Sequence, residues 1–425
     1  MLIPGQILSL SIEKPAAGGR MIARVDGQIT LVAGAIPGEQ VRARVERMSK
    51  GVAFAEAIAI DEASADRREP FDDPLCGGCV FSHIAYPRQL AIKRQVIDDA
   101  FARIGHLTLP APVPVAPSPE EGYRMRARLH VRGGRLGFFR EGTHDVCDPR
   151  PTRQLLPAMC DALERFADAM RSLAINAVRE IEVAENVDAS HRALSLEISA
   201  AVDSQALERL AATDGMTGMV SRLGSHGDPH VVDQITLDSG GPVTLRRHVA
   251  AFFQGNRHLL RDFVSHVVRQ VPDASDLLDL YAGVGLFSIG AAVARGARAT
   301  AVEGDRIAAS DLAFNAAASA AAVTAVHQPV EDFVRGKQAG AVRSGPNASL
   351  AVIVDPPRTG LSPEAVDGLM QLGAERLVYV SCDVATLARD ARKIVDAGYV
   401  LSRADAFDLF PNTPHVETVV VFDRG

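Results

Sequence analysis

From about residue 275 onward, short apolar runs alternate with longer, alanine-rich stretches, and no other feature of the chain limits its fold as strongly. The runs at 276–282, 297–303, 349–354 and 376–380 have the length and composition of buried strands. The stretches at 286–295, 305–318, 363–372 and 384–396 have those of helices. Strands separated by helices of this size need crossover connections, so the expected fold is α/β with a doubly wound, mainly parallel sheet. A final apolar run at 415–422, HVETVVVF, has no helix after it.

A chain of 425 residues is too long for one ordinary domain. Five short apolar runs, broken by Gly, Pro or Asp, fill the first 62 residues and predict a small barrel of the OB type. Arg20, Arg24, Arg42, Arg44, Arg47 and Lys50 lie there, and suit a solvated barrel surface or a phosphate-tracking face equally. The expected organisation is a barrel over 1–62, a mixed α+β central domain over 63–250 and the doubly wound domain over 251–425. Within the centre, 111–119 is proline-rich and reads as an extended connector. The segment YRMRARLHVRGGRLGFFR, residues 123–140, carries six arginines and no acid. Gly133-Gly134 predicts a hairpin turn, and alternation puts Arg124, Arg126, Arg128 and Arg132 on one strand face. Such repulsion calls for an anionic partner, so an RNA-facing hairpin is preferred over a charge-protected edge, with Phe138 and Phe139 as stacking surfaces.

A net charge of −7 excludes a globally basic nucleic-acid coat but not a local basic patch. No charge-free apolar run has membrane-spanning length, and the N-terminus lacks a signal pattern, so no membrane association and a cytoplasmic location are expected. Five cysteines make a poor disulfide framework, so each is read separately; Cys160 has a helical, apolar context and reads as packing.

Open parallel sheets bind ligands beyond the carboxyl ends of their strands, where four residue groups fall. The first, Asp279-Leu-Tyr-Ala-Gly-Val-Gly285, is a glycine-rich turn without the third glycine of a dinucleotide site, which disfavours hydride chemistry. The second is Glu303, placed to hold ribose hydroxyls or to charge a helix start. In the third, Asp355-Pro-Pro-Arg-Thr-Gly360, two prolines stiffen the loop behind Asp355. The fourth is Ser381-Cys382-Asp383 before a helix, where the dipole favours a thiolate at Cys382. Should the last strand run antiparallel, Glu417 reaches the same edge. The set suits covalent catalysis with proton removal.

The stretches DLYAGVG, VDPPRTG, VYVSCDVATLARD and FPNTPHVETV, taken in order, resemble the class I, S-adenosylmethionine-dependent RNA (uracil-C5) methyltransferases. GRMIARVDGQITLVAGAIPGEQVRARV is similar to the TRAM barrel found in many of them. The resemblance implies a TRAM barrel, a central domain and a Rossmann-like methyltransferase domain. It implies that Cys382 adds to C6 of a uridine and that Glu417 removes the C5 proton, giving 5-methyluridine. It places Gln254, Tyr281, Gly283, Gly285, Glu303 and Asp355 at cofactor-binding positions, Asp355 touching the cofactor or the uracil edge. It implies an RNA substrate bound with help from Arg124, Arg126 and Arg128, and no protein partner. The TRAM segment points to 23S ribosomal RNA; the alternatives are a transfer RNA substrate or a catalytically idle RNA-binding protein. Many family members hold a [4Fe–4S] cluster on four cysteines. Here Cys76 and Cys79 match two of them, Pro70 and Thr152 stand at the others, and Cys147 is offset. The expectation is an absent or degenerate cluster, with Cys76, Cys79 and Cys147 as its remnant; the minority alternative is a cluster or zinc on these three and a non-cysteine ligand.

Overall fold

A computed structural model of the chain describes residues 2–71, 73–340, 342–345 and 348–425. Its C-terminal half is built on an eight-stranded sheet. The strand order is Val323–His327, Arg298–Glu303, Asp276–Leu280, Leu350–Val354, Arg376–Ser381, Glu417–Arg424, Tyr399–Phe407 and Val115–Ala116. The first five are parallel, as strands joined by helical crossovers must be. From Asp276–Leu280 the chain winds outward through two strands, then returns to the other side of Asp276–Leu280 at Leu350–Val354. That reversal opens a crevice at the carboxyl ends of these two strands.

Glu417–Arg424 runs antiparallel, with Thr418 opposite Ser381. Its first residue therefore lies at the edge where the parallel strands end, as the sequence reading required. Leu286–Arg295, Pro363–Leu372 and Val384–Asp396 form helices over the anticipated spans. Leu278, Val352 and Tyr379 face one apolar core of the sheet, and Leu277, Ile353 and Val380 the other.

The central region does not stand apart from this sheet. Ile97, Phe101 and Val113 pack into one core, and Ile235 and Leu245 into the other. Residues expected in one unit over 63–250 are thus divided between the eight-stranded sheet and a separate seven-stranded sheet with its own core. The 111–119 connector is extended, and its Val115–Ala116 pairs with Tyr399–Phe407, a strand that the sequence reading left unassigned.

The N-terminal strands form a six-stranded sheet from Ile7–Ser11 to Val52–Glu62 around Leu8, Leu10, Val41 and Val45. The arginine-rich segment makes the expected hairpin, Arg126–Arg132 with Arg135–Phe139, turning on Gly133 (φ 56°) and Gly134 (φ 73°). Left-handed backbone at both turn positions matches the strand twist, and glycine adopts it without a Cβ clash. Among the described residues no helix is long and apolar enough to cross a membrane.

One cysteine expectation is overturned. Cys76 and Cys147 form a disulfide with Cα atoms 6.0 Å apart. Cys76 bridges to Arg140 and Cys147 pairs with Phe138, so the two flank the same stretch of hairpin strand. A separation of 71 residues hides that proximity from the sequence. Cys160 is buried at 3% exposure in the central core, as a packing residue is.

Candidate active site

The glycine-rich turn after Asp276–Leu280 forms one wall of the crevice. Tyr281 takes a left-handed φ of 61°, uncommon for a side chain with a Cβ, and Gly283 and Gly285 follow at 56° and 96°. Gly285 starts the helix; a Cβ there would lie 2.9 Å from both Ile289 and Leu312, so only glycine closes this turn unstrained. Above Gly283 the space is open. Glu303 reaches across from the next strand and accepts from the Gly283 N–H at 2.7 Å and the Asp305 N–H at 2.6 Å. The Tyr281 hydroxyl donates to Glu331 at 3.1 Å.

Asp279 is fully buried behind this turn; one carboxylate oxygen accepts from the Ser288 N–H at 3.0 Å and the other has no partner. Burial pushes its carboxyl up to about 7. Asp355, at the end of the adjacent strand, is also pushed up to about 7 by burial and then by the Asp279 charge, while Gln254, donating at 3.3 Å, pulls the other way. Burial likewise raises Glu303.

Cys382 follows Ser381 and Glu417 precedes Thr418 on paired antiparallel strands, so both stand at the edge where Asp355 lies. Cys382 is partly exposed, not sunk in packed hydrocarbon, and Glu417 is buried at 2% exposure. The thiol is pushed up to about 11 by burial and by the Glu417 charge, with Arg358, hydrogen-bonded to it, opposing. This reverses the expected stabilisation of the thiolate by the following helix: Asp383, not Cys382, is the helix N-cap, and burial, with the Glu417 charge second, outweighs the dipole. Glu417 is itself raised well above the carboxylate range, by burial and then by Asp355, against Arg358. Burial thus disfavours the charged form of both groups.

Arg358 and His415 carried no assigned role in the sequence reading. Arg358 sits three residues past Asp355 in the proline-stiffened loop, and that fixed turn is the signal that finds it. Burial holds the His415 imidazole down at about 4, reinforced by Arg358, Lys93 and Arg124, so the ring is neutral near pH 7.

Arg126 and Arg128 share one face of the hairpin strand, where both reach Glu182, whereas Arg124 lies outside the strand. Arg124 precedes the strand, donates to Gln154 at 2.7 Å and lies over the rings of Phe138 and Phe410. No carboxylate among the described residues pairs with it. Arg126 pairs with Glu182 at 2.7 Å, and Arg128 with Glu180 at 3.1 Å and Glu182 at 3.6 Å. The segment lacks acids, but the neighbouring strand Val178–Glu185 supplies them in register, Glu182 opposite Arg128. The hairpin therefore needs no external anion to relieve its repulsion.

A buried carboxylate with one unpartnered oxygen, an open glycine cradle and a thiol–carboxylate pair at the switch point of a doubly wound sheet are the geometry of a Rossmann-like group-transfer enzyme. The chain belongs to the RNA (uracil-C5) methyltransferase family. Residues 230–425 match the tRNA (Uracil-5-)-methyltransferase family and residues 3–58 the TRAM domain. The chain is 32% identical to the 23S rRNA (uracil(1939)-C(5))-methyltransferase RlmD of Pseudomonas entomophila, covering 99% of this chain and 94% of that one. It is 30% identical to the RlmD protein of Methylococcus capsulatus, over 99% of this chain and 98% of that one. The fold is shared with the Pyrococcus abyssi tRNA (uracil-54, C5)-methyltransferase at a TM-score of 0.76 and 23% identity, covering 97% and 99% of the two chains.

The residues present do not fit the four-thiolate cluster of many family members. Cys76 and Cys147 are joined to each other, and the buried Thr152 hydroxyl donates to Pro149 at 2.6 Å. Pro70 has no ligating atom.

Proposed function

We propose that this protein transfers a methyl group from S-adenosylmethionine to C5 of a uridine in 23S ribosomal RNA, in the cytoplasm, through a covalent bond between Cys382 and C6. The observation that carries this reading is the convergence of Cys382, Glu417 and Asp355 on one crevice from three separate strand ends. The cofactor side fits: Asp279 presents an orphaned oxygen, and the space over Gly283 is open. Asp279 and Asp355 suit its cationic part, Glu303 the ribose hydroxyls, and Gln254, Tyr281, Gly283 and Gly285 shape the cradle. S-adenosylmethionine supplies, when bound, an electrophilic methyl group on a sulfonium sulfur.

Uracil C5 is a weak nucleophile. Once Cys382 has lost its proton, its sulfur bonds to C6 and electron density moves to C5, which then takes the methyl group. Glu417 removes the C5 proton, the C6–sulfur bond breaks and the thiolate leaves. Reaching this crevice requires the base to leave its stack. Residues 1–62 serve as the RNA-binding barrel, with 251–425 holding most of the catalytic residues.

Mapping 5-methyluridine by mass spectrometry, in RNA from cells with and without the gene, tests the substrate. One 23S site should lose its methyl group and regain it on complementation. Loss confined to transfer RNA would move the substrate there, and no loss in any RNA would reject the activity.

The three arginines are separable in RNA binding. Arg124 has no carboxylate partner and lies beside Phe410, close to the catalytic edge. Arg124→Ala is expected to weaken RNA affinity and to lower the slope of log K against log salt by about one. Arg128→Ala, removing a charge already balanced by Glu180 and Glu182, should change the slope by about half as much or less. Equal slopes for the two variants in a filter-binding titration would contradict this division.

A further inference from the structure

The loop that delivers Glu417, residues 408–416, is held by a set of buried donors from sequence-distant segments. Four successive carbonyls are each taken up. The Leu409 oxygen accepts from Asn256 at 3.0 Å, Phe410 from Lys93 at 3.1 Å, Pro411 from the Tyr123 hydroxyl at 3.1 Å, and Asn412 from the Phe81 N–H at 2.8 Å. The helix Tyr86–Ala100 contributes two of the fasteners. Lys93, 1% exposed, also pairs with the fully buried Asp408 at 2.5 Å. Gln89, one turn earlier, donates to the Asn412 side-chain oxygen and accepts from the Asn412 backbone N–H, both at 2.9 Å. Asn412 is itself held at a left-handed φ of 63° and is fully buried.

Stability alone does not account for this arrangement. Burying a lysine–carboxylate pair desolvates two charges, and apolar residues of like volume serve a core as well or better. What the pair adds is a fixed position: Lys93 bonds at once to the Asp408 side chain and the Phe410 backbone, so the loop cannot slide along the helix without leaving a buried charge unpartnered. We propose that the Lys93–Asp408 and Gln89–Asn412 pairs are positioning groups that set the Glu417 carboxylate against the C5 proton. The inference rests on Glu417 being the base of the reaction proposed above.

Two rates separate positioning from simple structural support. RNA carrying 5-fluorouridine traps the enzyme covalently after methyl transfer and needs no proton removal at C5. RNA carrying [5-³H]uridine releases tritium only when that proton is removed. In the folded double variant Lys93→Met/Asp408→Leu, which removes both charges together, trapping should stay within about twofold of wild type. Tritium release should fall about tenfold or more, a scale set by misplacement of a catalytic group by less than an ångström. Gln89→Met should show the same split more weakly, and carries the test alone should the double variant fail to fold. Both rates unchanged, or both lowered by one factor, would overturn the proposal. Glu417→Gln separates the two assignments: tritium released at the wild-type rate by that variant would fault the base itself, whatever the loop variants do.

Discussion

Cys382→Ala should retain less than about one part in ten thousand of the methyl-transfer rate to RNA, with the protein folded and S-adenosylmethionine still bound. The magnitude follows from what the sulfur supplies. Without a bond at C6, C5 carries no enolate-like density, and the remaining groups can only orient two unreactive partners. Ala leaves a small void at a partly exposed position, so stability should change little. Cys382→Ser keeps the shape but offers a far weaker nucleophile and should be equally inactive. Single-turnover transfer of labelled methyl to RNA measures this; activity in either variant above about one per cent of wild type would remove the covalent step.

The wild-type enzyme should also show a characteristic pH dependence. Thiol and carboxylate are both raised, the first to about 11 by burial and the Glu417 charge, and the deprotonated forms are the reactive ones. Rate therefore rises with pH across the neutral and mildly alkaline range, approaching tenfold per unit while one proton must be lost. A profile flat between pH 6 and 9 would mean that RNA and cofactor, once docked, have already expelled that proton.

Local chemistry made much of this molecule legible from its sequence. Pro363–Leu372 follows Ser362, whose hydroxyl caps it, and ends at Gly373 with φ 58°; Val384–Asp396 follows the N-cap Asp383. Each boundary residue announces its element within one turn. Buried parallel strands such as Leu350–Val354 stand out as unbroken apolar runs because both faces are covered. Tyr399–Phe407 does not, since its first half is largely exposed and carries Ser402 and Arg403 before the apolar end.

What escaped the sequence reading depends on partners far along the chain. Glu180 and Glu182 neutralise Arg126 and Arg128 only because the strands pair antiparallel. The direction of the Cys382 shift is set first by burial and then by Glu417 on the neighbouring strand, not by the adjoining helix. Lys93 and Asp408 are 315 positions apart, and neither belongs to a recognisable motif. Residue type and spacing therefore single out candidate reacting groups, whereas their protonation and precise placement are properties of the assembled fold.

Glu417→Gln should convert the enzyme into one that stops partway. Gln has the shape of Glu and can still fill this pocket, but it cannot accept the C5 proton. Cys382 remains free to attack, and the methyl group can still be transferred, so the methylated adduct forms and has no path to product. A protein–RNA species should accumulate on a denaturing gel to near one per enzyme, while multiple-turnover release of 5-methyluridine falls by at least about a thousandfold. Misfolding does not offer an alternative explanation for the stall. Glu417 is 2% exposed, and its ionised form is disfavoured first by burial and then by Asp355. Its carboxyl is raised, so any stabilising effect of its proton is present at low pH and is lost as pH rises through the folded-state value. An uncharged Gln escapes that loss, and the variant should melt at or above the wild-type temperature at pH 8. Adding Cys382→Ala to the same chain should abolish the adduct, which ties the trapped bond to that sulfur. A stable Glu417→Gln protein that forms no adduct, or that releases product at the wild-type rate, would assign proton removal to another group, with Asp355 the nearest remaining carboxylate in the crevice.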